Sequence, residues 1–280
     1  MEQITRPIIK KERLTPALWQ ITVGLTAGDL ALSQLEAGQF FLLQCETNQV
    51  TYLRRAIFPA GLVDLTTGQM SDYAKGLCFI LSPADVTDPG LAWLLSRSVD
   101  QRIDLLGPLG TGFSLSERTE CLLLVGSGPS IGPLLFLLEQ ALQRGIDVAL
   151  ALEANRAADL YPPQSLSPAV ELRLATLDGS AGQRGSILEQ LDDLTQWADT
   201  LCAVGPSGFY PQLRRHLNQT RLYVIENFAR VLLAGAPINI CGTGICTFCT
   251  ITTTEGLKLA CQDGPVFDLG KIPEEEVATG

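Results

Sequence analysis

The sequence predicts a multidomain fold of three parts: a β-barrel over residues 1–117, an α/β domain with a parallel sheet over residues 118–222, and a small cysteine-rich domain over residues 223–280. Three observations support this division. Short β-prone runs separated by Gly, Pro, Asp and Ser fill the first part. A strand, a glycine-rich turn, a helix and a second strand follow one another in the second part. Four cysteines lie within 21 residues of the third part.

The composition predicts a folded chain and argues against several classes of protein. Of 280 residues, 46% are hydrophobic and 18% are charged, which is too apolar for a disordered chain. The formal net charge of -10 argues against nucleic acid as a partner, because phosphate contacts need a basic surface. No apolar segment follows the cations near the amino terminus, and glycines and prolines interrupt the longest apolar stretch, residues 121–142. We therefore expect no secretory signal, no membrane span and a cytoplasmic location.

The barrel is predicted from short runs of β-branched, aromatic and aliphatic residues. We expect strands at residues 19–23, 40–45, 77–81 and 103–106, because turn-forming residues bound each run. Several short strands of this kind are typical of a small barrel.

The α/β domain is predicted from the pattern after residue 118. Residues 122–125 and 148–152 form apolar, strand-like runs, and residues 131–143 between them have helical character. Three glycines lie in the turn before the helix: Gly126, Gly128 and Gly132. Backbone N–H groups at such a turn, with the helix dipole, can hold a pyrophosphate, although a tight turn without a ligand has the same pattern.

Two further signals favour a dinucleotide in this domain. Glu153, at the end of the second run, is an acid suited to a ribose diol and unfavourable to a 2′-phosphate, so NAD is favoured over NADP. Arg156, three residues later, is suited to NADP instead. Gly205 and Pro206 follow another apolar run and predict a second strand-to-helix turn at the carboxyl edge of the same sheet.

Four clustered cysteines form the most specific motif of the chain: Cys241, Cys246, Cys249 and Cys261. Their spacing, Cys-x4-Cys-x2-Cys with a fourth cysteine further along, matches a plant-type 2Fe-2S loop. Gly242 and Gly244 suit such a loop, which needs positive φ angles and close backbone approach. Zinc stays an alternative, although structural zinc sites usually pair two short knuckles. The other four cysteines have mostly apolar neighbours and are expected to be small buried side chains: Cys45, Cys78, Cys121 and Cys202.

Motifs along nearly the whole chain resemble the ferredoxin reductase-like electron transfer subunit of NAD-linked, two-subunit dihydroorotate dehydrogenases. They occur in that family's order, at residues 38–40, 54–57, 106–113, 126–134, 205–206 and 241–267. The most specific are Gly-Pro-Leu-Gly-x-Gly-Phe at residues 107–113 and the cysteine motif ending in Cys-Gln-Asp-Gly-Pro-Val-Phe. The flavoprotein subunit of bifurcating NADH-dependent ferredoxin:NADP reductase is similar too, but that family tends to have Asp where this chain has Cys241.

The resemblance implies a barrel that binds FAD, a second domain that binds NAD, and a terminal domain with a 2Fe-2S cluster. The cluster would exchange electrons with a separate FMN-containing dihydroorotate dehydrogenase catalytic subunit, in a heterotetramer that acts in pyrimidine biosynthesis. The FAD contacts carried over by motif are Arg55, Ala56, Ile57, Phe58, Gly90 and Leu91. The chain departs from the family at Phe58, where a Ser or Thr hydroxyl usually reaches the flavin, and at Leu91, where Thr is usual.

Two other interpretations stay open. The chain could be a related NAD(P)H reductase subunit for another acceptor, or a regulatory iron-sulfur subunit without flavin.

The remaining residues singled out have structural explanations. Exchange of hydride and single electrons needs no acid–base residue, and His216 is expected on a solvated helix face without a catalytic role. The apolar run at residues 231–238 and Phe248 are candidates for docking a partner, with a buried structural role as the alternative. The acidic residues 274–276 are expected to be solvated.

Overall fold

Two seven-stranded sheets and a β-hairpin form the framework of the chain within the residues that the computed structural model describes. These residues are 2–26, 28–29, 32, 34–45, 54–65, 75–82, 89–221, 227–233 and 241–274. Buried apolar side chains fill two core clusters, one mainly inside the first sheet and on one face of the second, the other mainly on the opposite face of the second sheet. The multidomain fold class predicted from the sequence is confirmed.

The first sheet is antiparallel and forms the barrel part of the molecule. Its strands are β1 (Glu2–Thr15), β2 (Leu18–Leu25), β3 (Phe40–Gln44), β4 (Arg55–Ile57), β5 (Gly61–Asp64), β6 (Lys75–Leu81) and β7 (Arg102–Leu109). They lie in the order β4-β3-β7-β1-β2-β6-β5. Burial alternates residue by residue along β7, as expected of a strand with one face inside the core. All four strands predicted for this part are present.

The sequence prediction missed β1, a strand of 14 residues that pairs with both β2 and β7. The strand is difficult to predict from the sequence, because Lys10, Lys11 and Arg13 occupy the run that pairs with β2. Ile4 and Ile8 on the same strand are buried. A strand with partners on both sides tolerates charged side chains when they extend toward solvent at the outer face.

The second sheet is mostly parallel and follows the βαβ pattern predicted for it. Its elements and those that follow are β8 (Cys121–Ser127), α2 (Gly132–Gln143), β9 (Asp147–Ala154), β10 (Glu171–Thr176), β11 (Gln183–Arg184), α3 (Asp192–Trp197), β12 (Thr200–Val204), α4 (Phe209–Thr220), β13 (Ala229–Leu232), β14 (Thr250–Thr253), β15 (Gly256–Leu259) and β16 (Val266–Asp268). The strand order is β11-β10-β9-β8-β12-β13-β16, so the chain runs outward from β8 in both directions. The carboxyl ends of β8 and β12 therefore mark a topological switch point, where open α/β sheets bind ligands.

Helix α2 links the two sheets. Its residues Gly132–Leu138 are buried, and it packs against β8, β9 and the barrel strand β5. Proline at the second position starts the helix without losing an intrahelical hydrogen bond. A shorter helix, α1 (Pro89–Ser96), precedes β7. No helix within the described ranges has the length and apolar character needed to cross a membrane.

The carboxyl-terminal part is built onto the second sheet. Strands β13 and β16 pair with each other antiparallel and form its edge, while β14 and β15 make a separate hairpin. Cys249, Cys261 and Ile251 belong to the same core cluster as β12 and β13. The boundary at residue 223 stays a prediction, since β13 lies beyond it and continues the sheet of the preceding part.

Candidate functional site

A cavity of about 990 Å³ opens at the carboxyl ends of β8, β9 and β12, and we call it the nucleotide cavity. It lies at the topological switch point of the sheet. Four of the residues predicted to bind the cofactor line it: Gly128, Glu153, Gly205 and Pro206. Gly126 and Gly132 support this wall from behind.

The three glycines from the end of β8 to the start of α2 are required for different structural reasons. A Cβ on Gly126 would lie 2.7 Å from the Leu152 side chain and 2.8 Å from that of Ile131, so this glycine permits close packing of strand and helix. Gly128 has φ +81°, and no described atom lies within 4 Å of its Cβ position, so its requirement is conformational. A Cβ on Gly132 would lie 3.3 Å from Ala60 Cβ, where α2 meets the barrel.

The amino terminus of α2 offers a hydrogen-bond donor to this turn. Ile131 caps the helix, and none of the described side chains caps it by a hydrogen bond. Pro133 has no N–H and Leu134 N donates to the carbonyl of Ile131 at 2.9 Å, so among the first three helical residues the N–H of Gly132 is the donor not used within the helix, at the positive end of the helix dipole. A phosphate group suits this position.

Glu153 lies half-buried in the wall of the nucleotide cavity and is tied to its neighbours. Its Oε1 accepts a hydrogen bond from Ser127 Oγ at 2.8 Å. Its Oε2 accepts bonds from Ser186 Oγ at 3.0 Å and from the backbone N of Ile187 at 2.8 Å. The carboxylate therefore joins the glycine turn to the segment that follows β11.

Arg156 and Asp159 form an ion pair at the mouth of the same cavity. Arg156 Nε donates to both carboxylate oxygens of Asp159, each at 3.3 Å. The Arg156 side chain is 64% exposed and that of Asp159 only 17%. Sequence reasoning missed Asp159, whose pairing with Arg156 depends on the 3-10 turn at Ala157–Asp159.

The turn after β12 is held by a buried tyrosine. Gly205 N donates to Tyr210 Oη at 3.1 Å, and Tyr210 Oη donates to the carbonyl of Leu232 in β13. Burial raises the pKa of Tyr210 far above its usual range, so the hydroxyl stays protonated. A Cβ on Gly205 would lie 2.8 Å from the Phe209 ring. The sequence carries no signal for Tyr210, because its partners lie on other elements.

The cysteine loop, residues 241–249, curls tightly against the barrel. Gly242, Gly244 and Thr247 have φ values of +66°, +79° and +53°. A Cβ on Gly242 would lie 2.7 Å from Leu109 Cδ1 and 2.8 Å from Leu42 Cδ1. The loop backbone therefore lies directly on strands β3 and β7.

The four predicted ligand cysteines lie near one another. Cys246 acts on the pKa of Cys241, and both Cys249 and Cys241 act on that of Cys261. The backbone N–H of Thr243 donates to Cys241 Sγ and that of Cys261 to Cys249 Sγ, both at 3.4 Å. Cys249 and Cys261 are buried, Cys241 is half-buried and Cys246 is exposed.

Cys241 and Cys261, the first and last of the four cysteines along the chain, differ in the pKa of their thiols. Burial acts to raise the pKa of Cys241, but hydrogen bonds from Cys246 and Thr243 outweigh it and lower the pKa to about 6. Burial and the neighbouring Cys249 raise the pKa of Cys261 to about 12. Of these two thiols, Cys241 is therefore the more ready to act as a thiolate ligand.

The four thiols are suited to binding a metal as thiolates. Zinc takes four such ligands around one point, and a 2Fe-2S core takes two at each of its two irons. Among the described residues, no three Cys, His, Asp or Glu side chains are grouped so that one metal ion could share them. The spacing Cys-x4-Cys-x2-Cys, with Cys261 further along the chain, is what favours the two-iron cluster.

The residues predicted to contact FAD lie on β4, directly after it at Phe58, and in the first turn of α1. Arg55, Ala56 and Phe58 are half-buried, and Ile57 is buried. Gly90 is buried and Leu91 half-buried. The positive end of the α1 dipole and the cation of Arg55 are suited to a pyrophosphate. Arg54 is used by the barrel, since it pairs with Asp104 at 2.5 Å.

Phe58 offers a ring where the resembled family has a hydroxyl. Its ring packs on that of Phe40 with the centroids 5.9 Å apart and the planes tilted by 48°. It contacts both core clusters. The side chain therefore stabilises the junction of the two sheets and donates no hydrogen bond to a cofactor.

The expectation that His216 is solvated is wrong. Its side chain is 13% exposed on α4, with Nε2 3.7 Å from Asp192 Oδ1. Burial lowers the pKa of His216, although the charge of Asp192 acts to raise it. Helices α3 and α4 pack together here, a contact that the local sequence of α4 does not predict. Among the residues lining the nucleotide cavity, His216 is absent.

Comparison with known proteins identifies relatives of the whole chain. Residues 238–273 match the family model of the iron-sulfur cluster binding domain of dihydroorotate dehydrogenase B. The chain is 27% identical over 271 residues to the dihydroorotate dehydrogenase B (NAD(+)), electron transfer subunit, of Streptococcus pneumoniae, covering 95% of this chain and 98% of the relative. The protein of the same name from Geobacillus kaustophilus is 29% identical over 277 residues, covering 95% and 99%.

Solved structures share the fold. The NADH-dependent reduced ferredoxin-NADP oxidoreductase superposes with a TM-score of 0.78 at 21% identity, covering 97% of this chain and 91% of that one. A ferredoxin NADP+ reductase from Neisseria gonorrhoeae with bound FAD and NADP gives 0.62 at 18% identity, covering 82% and 98%. The resemblance stated from the sequence motifs is confirmed.

Proposed function

We propose that this chain, which has a ferredoxin reductase-like fold, is the electron transfer subunit of an NAD-linked dihydroorotate dehydrogenase. The observation that carries the proposal is the juxtaposition of two sites on one chain. The cysteine loop, within the segment that matches the cluster-binding family model, lies on the barrel, and the adjoining sheet holds the nucleotide cavity. The chain would connect NAD with a catalytic subunit that oxidises dihydroorotate in pyrimidine biosynthesis.

NAD binding is assigned to the nucleotide cavity. Gly126, Gly128 and Gly132 form or support the turn whose N–H groups would hold the pyrophosphate. Glu153 shapes the ribose end of the cavity. Gly205 and Pro206 line the opposite wall, which is the place we assign to the nicotinamide.

FAD binding is assigned to the barrel. Arg55 and the first turn of α1, with Gly90 and Leu91, would hold the pyrophosphate, and Ala56, Ile57 and Phe58 would lie along the flavin. When bound, FAD supplies the conversion between two-electron hydride transfer and the one-electron transfer of an iron-sulfur cluster.

The 2Fe-2S cluster is assigned to Cys241, Cys246, Cys249 and Cys261. The backbone N–H groups that point at Cys241 and Cys249 would stabilise negative charge on the sulfurs. Because Gly242 lies against Leu42 and Leu109, electrons would have only a short path between the cluster and the barrel.

The surface around Cys246 is where we expect the FMN-containing catalytic subunit to dock, in a heterotetramer. Ile245 is 85% exposed and Phe248 63%, on either side of the exposed Cys246. Exposed apolar side chains grouped in this way are typical of protein interfaces. The other docking candidate is the apolar run at residues 231–238. Residues 231–233 are buried, and residues 234–238 lie outside the described residues.

Co-expression with an FMN-bearing dihydroorotate dehydrogenase subunit tests the proposal. We expect the two chains to co-elute and to reduce NAD with dihydroorotate, while this chain alone oxidises NADH only with artificial dyes. Failure to associate, or equal NAD reduction by the catalytic subunit alone, would contradict the assignment. We place the complex in the cytoplasm, where clustered thiols stay reduced for cluster assembly.

One observation favours a second candidate, a regulatory iron-sulfur subunit without flavin. Phe58 packs on Phe40 and provides no hydroxyl toward a flavin ring. The flavin content of the purified chain distinguishes the two. A preparation that has iron and sulfide but cannot be reconstituted with FAD would support the second candidate.

A further inference from the structure

Two acids and one cation follow one another at the end of β9, and all three line the nucleotide cavity: Glu153, Arg156 and Asp159. An acid in this region is expected to decide between NAD and NADP, because the 2′-phosphate of NADP is the group that separates them. The hydrogen bonds of the two acids indicate which of them is free to do so.

Glu153 has little capacity left for a ribose. A carboxylate offers about four lone-pair positions, and hydrogen bonds from described residues occupy three of those on Glu153. A ribose diol presents two hydroxyl groups, so Glu153 can accept at most one of them. Its hydrogen bonds instead join Ser127 to Ser186 and Ile187, which fixes the glycine turn against the next crossover.

Arg156 has capacity for an anion but is neutralised. Its Nε bonds to both oxygens of Asp159, while its two Nη amino groups have no hydrogen-bond partner among the described residues. A guanidinium with free amino groups is well suited to a phosphate. Asp159 cancels its charge and would repel a second negative group placed beside it.

We propose that Asp159, and not Glu153, sets a preference for NADH over NADPH by holding and neutralising Arg156. Glu153 is then a positioning residue that supports the cavity for both cofactors equally. This inference rests on the proposed nicotinamide function of the cavity.

Equilibrium binding to the full-length chain, followed by the fluorescence of the reduced nicotinamide, tests the inference without needing flavin or cluster. We expect the wild-type chain to prefer NADH. Asp159→Asn should raise the ratio of NADPH affinity to NADH affinity about tenfold, which corresponds to about 1.4 kcal/mol. Asn keeps the size of the side chain and an acceptor for Arg156 Nε, so the fold is not at risk.

Two matched variants sharpen the test. Arg156→Gln added to Asp159→Asn should abolish the gain for NADPH. Glu153→Gln should weaken NADH and NADPH by the same factor and leave their ratio unchanged, as expected of a positioning residue.

The outcomes separate the inference from the proposed function. If the wild-type chain binds neither cofactor, the nicotinamide function fails and this inference fails with it. If it binds NADH but Asp159→Asn leaves the NADPH to NADH ratio unchanged, or if Glu153→Gln changes that ratio, only this inference is overturned. Equal wild-type affinity for the two cofactors would overturn it as well.

Discussion

The glycine turn after β8 and the cysteine loop at residues 241–249 both bend the backbone sharply next to a proposed cofactor, but they use different parts of the chain. In the turn the proposed binding groups are backbone N–H groups, and the surrounding side chains pack the strand against the helix. At the loop the proposed binding groups are cysteine side chains, three within the loop and Cys261 after it, and the backbone supports them. A binding site made of side chains is specified by residue type and spacing, whereas one made of backbone depends on the elements around it.

The glycines of the two regions show this difference in detail. Gly126 and Gly128 meet separate requirements. Gly126 leaves space for packing, and Gly128 adopts a positive φ. Gly242 combines both, with φ +66° and a Cβ position 2.7 Å from Leu109. At Gly242 the loop is held against the barrel, while the turn is held by the strand and the helix on either side of it.

The largest effect should follow from Cys246→Ser, which removes a thiolate ligand. We expect loss of the cluster, measured as iron and acid-labile sulfide that fall from about two of each per chain. Cys45→Ser is the matched control, because Cys45 is a buried cysteine outside the motif, and it should leave iron content unchanged. Stoichiometric zinc without sulfide in the wild-type chain would break the comparison, since the loop would then hold a different metal.

Alanine at the two neighbouring glycines should separate packing from conformation in the turn. Gly126→Ala places a methyl group against buried Leu152 and Ile131, and we expect a loss of about 1–3 kcal/mol of stability. Gly128→Ala meets no described atom within 4 Å and should lose roughly 1 kcal/mol from its positive φ. Thermal unfolding midpoints of the two variants measure the difference. A lower midpoint for Gly128→Ala than for Gly126→Ala would contradict it.

Tyr210→Phe tests whether the second turn depends on a distant element. The change removes the hydroxyl between Gly205 and Leu232, which leaves the half-buried Gly205 N–H and the buried Leu232 carbonyl without this partner, at about 1–3 kcal/mol. We expect NADH binding to weaken about tenfold with cluster content unchanged. Tyr161→Phe is the control, since Tyr161 does not line the nucleotide cavity, and it should bind NADH normally. Equal losses in both variants would indicate a general effect on stability instead.

The smallest effect is expected from Phe248→Ala on the outer side of the cysteine loop. Its ring is 63% exposed, so the isolated chain should keep its iron content and its NADH oxidation with dyes. Affinity for the catalytic subunit should fall by about tenfold, as for an aromatic residue central to an interface. Val99→Ala serves as the control. Val99 is 44% exposed and lies just before the first residue of β7, whereas the cysteine loop contacts Leu109 at the last. If Phe248→Ala binds the catalytic subunit with unchanged affinity, the docking surface lies elsewhere on the chain.

Most of the architecture was predictable because its signals are local. The apolar run of β8 is buried along nearly its whole length, as parallel strands between two layers of helices are, and it ends in glycines. The spacing of the four cysteines alone predicts the proposed cluster site. Strand β1 was missed because its cations mask its two buried isoleucines, and its pairing with both β2 and β7 is a long-range property.

The residue types and intervals of the sequence determined the fold class, the cysteine motif and the position of the nucleotide turn, since each depends on residues that are close together in the chain. The tertiary structure decided what individual side chains are free to do. Glu153 is occupied by Ser127, Ser186 and Ile187, which come from two other segments. Tyr210 is held by Leu232, 22 residues away. Hydrogen-bond capacity is finite, so the role of a polar side chain depends on partners that only folding brings within reach.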